Sequence, residues 1–320
     1  MKKSIYLFLV LLSFSILTIS CVEKNPAIKK KVALEESPVE SLNQDFYKVK
    51  FLDNNDNILV SSQNDRGLKI YSFSEDKLQS LNSKEGAGLN PMVTPDGKKI
   101  VYQTTEFKNR RRSTGIYVQD INTFETIPVI ENKRGIKLLE VENDYVYYLD
   151  GDKVMSYEIK TGKTTENPKN IVLAFTDNDV NLVVYKNGIK KELNPKGKGN
   201  YIWVSISPDK KHILFNKAGD GTYISDFSGK NIVSLGRLHA PKWSRNGKYI
   251  VGMDDYDDGQ KFTKSDIIRY NIETKERENL TKNSDVIALY PDINNSGDKI
   301  VFNDENGKVF MMNLKTVHKK

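Results

Sequence analysis

From Phe46 onward the chain alternates short apolar runs of four to six residues with clusters of Asp, Asn, Gly and Lys. No stretch sustains the three-to-four-residue spacing of an amphipathic helix, so the pattern predicts strands throughout. Seven runs align as equivalent strands: NILVSS at 57–62, KIVYQT at 99–104, YVYYLD at 145–150, NLVVYK at 181–186, HILFNK at 212–217, YIVGMD at 249–254 and KIVFND at 299–304. Neighbouring runs lie about 30 to 50 residues apart, the period of propeller blades; helical solenoids of similar period would show helical patterning.

A turn phrase precedes several of these runs: VTPDG, SISPDK, WSRNG and NSGD. Pro95 and Pro208 preset the backbone at the second turn position. Asp, Asn or Ser bonds its own main chain, and Gly97 or Gly247 accepts the left-handed conformation that reverses the chain. One unit reads APKWS (240–244) as first strand, RNGK as turn, YIVGMD as second strand, DIIRYNIET (266–274) as third and ERENLT (276–281) as fourth. A four-stranded sheet of this size cannot bury both faces by itself, but sheets packed radially cover one another. The expected fold is therefore all-β: a β-propeller of four-stranded antiparallel blades, seven by this count, with six as the alternative. The unit at 171–196 has apolar runs for only three strands. The last unit, after KVFMMNLKT (308–316), lacks a fourth, and an N-terminal strand from KKKVALEE (29–36) is expected to supply it and close the ring. An open ring with a frayed last blade is the alternative.

The first residues read differently. Lys2 and Lys3 precede the apolar run IYLFLVLLSFSILTI, which stops at Ser20–Cys21, so residues 1–20 read as an export signal. The LTISC boundary resembles the lipobox of bacterial lipoproteins, which implies lipidation of Cys21 and a stable membrane anchor. As the only cysteine, Cys21 leaves no disulfide within the chain. Residues 21–45 are polar and charged, a tether that includes the expected closing strand, and 46–320 form the propeller. The formal charge of +7 falls to +5 without the two leader lysines and is scattered among acids. With the export signal, that argues against nucleic acid as a partner. VEKNP after Cys21 has no acidic run, which favours the periplasmic face over the cell surface.

The repeats carry a family resemblance. SISPDKKHILF, VTPDGKKIVY and APKWSRNGKYIVGMDD resemble the units of TolB-type, WD-like propellers of bacterial envelope proteins, and GIYVQDINT (115–123) is similar to their third strand. RYNIET (269–274) and MMNLKT (311–316) match it more loosely. Proteins of that type have six blades and a separate N-terminal α/β domain, for which this chain has no room. The resemblance implies a non-catalytic envelope protein, a monomeric propeller presenting its channel mouth to a protein or peptide partner. Glycan binding, or a lyase-like carbohydrate enzyme on the same scaffold, is the alternative.

Candidate chemistry is sparse. Hydrolases with similar propellers need a G-x-S-x-G elbow, which is absent. Metal-assisted lyases need several histidines at the ring's centre, and the chain has only His212, His239 and His318. No enzyme activity is expected, and no cofactor, with one exception to weigh. MDDYDDG groups Asp254, Asp255, Asp257 and Asp258 beside Gly259, either a calcium loop or a solvated hairpin. Trp203 in YIWVS and Trp243 in APKWS fall on expected innermost strands; Trp243 matches the resembled family's packing tryptophan. Trp203, with His239, is the candidate ligand contact at the channel mouth. The basic run KNRRR (108–112) lies between two strands, either a solvated hairpin or a binding patch.

Overall fold

A computed structural model describes residues 35–36, 46–52 and 57–314. The expected leader, Cys21, the rest of the tether and His318 lie outside the described residues. The strands form seven separate antiparallel sheets, and with them the fold is a seven-bladed β-propeller. The blades cover residues 47–82, 92–133, 136–166, 172–192, 201–236, 239–279 and 289–313. Each aligned apolar run is the second strand of its blade, from Ile58–Ser62 in blade 1 to Lys99–Lys108 in blade 2 and Lys299–Asn303 in blade 7. Blade 4 has three strands, as its sequence foretold, and its outer strand Ile189–Glu192 is exposed throughout. Lys190 and Lys191 on that edge discourage a further strand from pairing there.

The turn phrase works through its first residue. Thr94 Oγ1, Ser207 Oγ, Ser244 Oγ and Asn294 Oδ1 each accept the amide five residues on, from Lys99, His212, Tyr249 and Lys299 at 2.9–3.0 Å. Gly97, Gly247 and Gly297 take φ of 72°, 70° and 81° at the fourth turn position. In SPDK the same place falls to Lys210, which adopts φ 57° without a glycine's freedom.

The core is divided among the junctions between blades. Leu59, Leu68 and Leu81 of blade 1 pack on Ile100 and Tyr102 of blade 2. Similar clusters join every later pair, and the last joins Val301 and Val309 of blade 7 to Phe46, Val49 and Ile58 of blade 1. That last cluster shuts the circle by side-chain packing. The backbone shuts it too. Glu35–Glu36 pairs antiparallel with the third strand of blade 7, Glu35 opposite Met311 and Glu36 opposite Phe310, and so supplies the missing fourth strand. Asp292 adds a polar tie across the seam: its Oδ2 accepts the Phe51 amide of blade 1 at 2.8 Å, and its Oδ1 lies 3.3 Å from Lys242 Nζ of blade 6.

Candidate functional site: the channel mouth

The first strands touch one another at every junction from that of blades 2 and 3 round to that of blades 7 and 1, so they are innermost and line the channel. Their beginnings lie on the face that carries the hairpins between second and third strands. In blades 1, 5, 6 and 7 the ladder slips there, between Tyr47 and Lys50, Ile202 and Ser205, His239 and Lys242, and Leu289 and Asp292. Inside each slip one residue turns left-handed: Lys48 at φ 52°, Trp203 at 50°, Ala240 at 44° and Tyr290 at 50°. A bulge re-aims a side chain, and a non-glycine held in this region costs on the order of 1–3 kcal/mol. Repetition over four adjoining blades makes the bulge part of the architecture. The side chains it presents are what differ.

Trp203 is 41% exposed, an unusual state for an indole. Its ring centroid lies 5.4 Å from that of His239, at an interplanar angle of 41°. His239 Nδ1 is 2.7 Å from Oδ1 of Asp255, which is only 5% exposed. With Nδ1 engaged, Nε2 is the ring nitrogen left to meet a ligand. Arg237 Nη1 donates to the Asp255 carbonyl at 3.3 Å and stacks its guanidinium on the Tyr256 ring at 4.2 Å. Further round the ring, burial pushes the Tyr290 hydroxyl up from its ordinary pKa, and the Asp255 and Asp65 carboxylates push the same way. Asp65 pairs with Lys48 at 2.6 Å. The mouth is thus an arc over blades 5, 6, 7 and 1: Trp203, His239, Asp255, Tyr290, Asp65 and Lys48.

The two residues singled out for the mouth, Trp203 and His239, are neighbours here. The four acids of MDDYDDG are not gathered. Asp254 pairs with Arg277 at 2.9 Å while Asp255 turns to His239. Asp257 and Asp258 cap their own turn, accepting the amides of Gly259, Gln260 and Lys261 at 2.9–3.0 Å. Among the described residues no group of three or more His, Cys, Asp or Glu converges as a metal site would. Trp243 packs at the junction of blades 5 and 6, and His212 stands 4.0 Å from Asp209 at a turn.

Known proteins are similar to this chain in structure. No family model and no curated sequence matches it. Among solved structures, an oligogalacturonate lyase from Vibrio parahaemolyticus aligns with a TM-score of 0.57 at 10% identity, over 86% of this chain and 91% of that one. A chain of the mitotic checkpoint complex aligns at 0.59 and 11%, over 95% and 100%. TolB from Acinetobacter baumannii aligns at only 0.46 and 17%, over 84% of this chain and 62% of that one. The likeness is one of fold alone.

Below the mouth, the channel carries charges that were not among the candidate residues. Lys50, Met92, Glu140, Ser205, Lys242 and Asp292 sit opposite Leu59, Val101, Tyr147, Leu214, Val251 and Val301, equivalent places in six blades. Their convergence shows in the electrostatics of Lys50, which feels Asp292, Lys242 and Arg245 of blades 7 and 6 and Glu140 of blade 3. Burial pushes Lys50 down to about 8; its ammonium donates to the Pro91 carbonyl at 3.1 Å. Burial pushes the Glu140 carboxyl up from its ordinary pKa. The cue was present as polar letters in apolar first strands: KVKF, LLEVE, APKW and YPDI.

Proposed function

We propose that this chain is a non-catalytic binding protein of a bacterial cell envelope, held by lipid on Cys21, that receives a protein or peptide partner at the mouth of its channel. The observation that carries this reading is the exposed Trp203, raised on a bulge beside His239. A half-bared indole rimmed by polar groups is the kind of anchor on which partners gain most of their affinity. The surrounding His239–Asp255, Arg237 and Lys48–Asp65 groups supply directional contacts. Cross-linking to envelope extract, with the captured protein identified and its binding remeasured in isolation, tests the reading. One defined protein should be recovered, with affinity lowered at least about tenfold by Trp203→Ala. A partner indifferent to Trp203→Ala and to His239→Ala would refute it.

A second reading is glycan binding or lyase-like carbohydrate chemistry. Its support is the flat Trp203 face set against an imidazole whose Nδ1 is held by a buried carboxylate, a combination that suits a sugar ring. Saturable binding on a glycan array, lost in Trp203→Ala, would favour it over the first. The anchor has its own test: labelled palmitate should enter the protein and fail to enter Cys21→Ala. Protease applied to whole cells should leave it intact if it faces the periplasm.

A further inference from the structure

The hairpin between the second and third strands of blade 2 extends well past its sheet. Lys99–Lys108 and Arg111–Asp120 have ten residues each, where the second strands of blades 1, 3, 4, 5 and 7 have five or six. Asn109 and Arg110, at φ 52° and 61°, make the tight two-residue turn at its tip. Two features there weigh against the stability of the free protein. Phe107 is 72% exposed. Lys108 and Arg111 stand directly opposite each other in the ladder, a like-charge pair that disfavours the hairpin.

Among the described residues no carboxylate pairs directly with these charges: Lys108, Arg110 and Arg111 make no ion pair, and Arg112 donates only to the neutral Thr105 Oγ1 at 3.3 Å. At the hairpin's base opens a cavity of about 720 Å³ whose walls include Asp65, Glu85, Leu89, Glu106, Phe107 and Arg112. The hairpin stands on the same face as Trp203 and His239.

We infer that this hairpin is a docking arm for an acidic polypeptide segment of the partner. The segment's carboxylates meet Lys108, Arg110 and Arg111, and an apolar side chain covers Phe107. The inference rests on the binding reading above and names the partner's chemistry. Charge complementarity selects an anion, and the cavity selects which kind. A uniformly anionic polysaccharide would set its charge against Glu106, whereas a polypeptide can place acidic residues at the tip and neutral ones over the cavity. An anionic bilayer, like the polysaccharide, would set uniform negative charge against Glu106 and the other acids of the cavity wall.

The test uses the full chain and a fluorescent peptide of repeated Glu-Glu-Leu-Ser, with polygalacturonate and phosphatidylglycerol vesicles as competing probes. The peptide should bind saturably at low salt and weaken as salt rises. Arg110→Glu with Arg111→Glu should weaken it about tenfold and Phe107→Ser a few-fold, while Lys190→Glu with Lys191→Glu on blade 4 should leave it unchanged. Circular dichroism confirms that each variant is folded. Absence of peptide binding, indifference to the charge reversal, or preferred binding of polygalacturonate or vesicles through the same residues would overturn the inference. Should the cross-linked partner bind the charge-reversed arm normally yet lose affinity with Trp203→Ala, the arm fails and the mouth stands. Should it be indifferent to Trp203→Ala, the mouth itself fails.

Discussion

Replacing Lys50 by Met tests the charge cluster in the channel directly. Methionine matches the lysine side chain out to Cε, with sulfur in place of Cδ, and lacks the ammonium. Burial lowers Lys50 from an ordinary 10.5 to about 8, so the native chain binds this proton more weakly than the unfolded chain does. Between those values the unfolded state holds more protons, and stability therefore rises with pH. At pH 7 the charged Lys50 weighs against folding by about 3 kcal/mol, and by pH 10 less than about 1 kcal/mol of that remains. Lys50→Met forgoes the bond to Pro91 and the attraction of Asp292, which reduces its gain at pH 7. The pH dependence is the sharper readout. The advantage of Lys50→Met over the natural chain should shrink by about 2–3 kcal/mol between pH 7 and pH 10. Urea unfolding followed by circular dichroism at the two pH values measures it. Tyr117 and Tyr147, each pushed up to about 12 by burial, lower stability as pH climbs past 10, but equally in both chains, so the difference cancels them. A stability difference that stays constant across this range would refute the buried-charge account of Lys50.

Asp292→Ala should destabilise the ring by about 3 kcal/mol in the same assay, because it leaves the buried Phe51 amide without an acceptor; Lys242→Met, which leaves that bond intact, should cost less. Phe302→Ala, removing a ring that is fully buried and stacked 5.3 Å from Phe310, should cost about 3–5 kcal/mol by urea unfolding. Gly252→Ala should displace the start of the first strand of blade 6, since a Cβ there would come within 2.7 Å of the Leu238 side chain and 2.9 Å of the His239 carbonyl oxygen. A loss of about 1–3 kcal/mol and a shifted His239 imidazole resonance are the expected signs.

The blades were legible because their second strands are written in one vocabulary, Ile or Val runs that in blades 2, 5, 6 and 7 follow a turn whose residues have fixed jobs. Even the three-stranded blade and the closing strand at Glu35–Glu36 followed from runs that were present or missing. The mouth was legible only in part. Trp203 and His239 drew notice by their rarity, yet the bulge that presents them left no shared letter, since Lys48, Trp203, Ala240 and Tyr290 have no side-chain type in common. The acids of MDDYDDG show the opposite limit. Closeness along the chain suggested one site, but in an extended strand neighbours face opposite ways, so Asp254 and Asp255 serve different partners. The opposition of Lys108 and Arg111 depends on a two-residue turn, and KNRRR does not announce where that turn falls.

Because the earliest described residues finish the latest sheet, a load drawn through the chain ahead of Glu35 is delivered along an outermost strand, parallel to the ladder it forms with Phe310 and Met311. A strand pulled in that direction resists by shear, with its bonds sharing the strain instead of opening one after another. The junction that completes the circle is also the place where the molecule would take up any such pull.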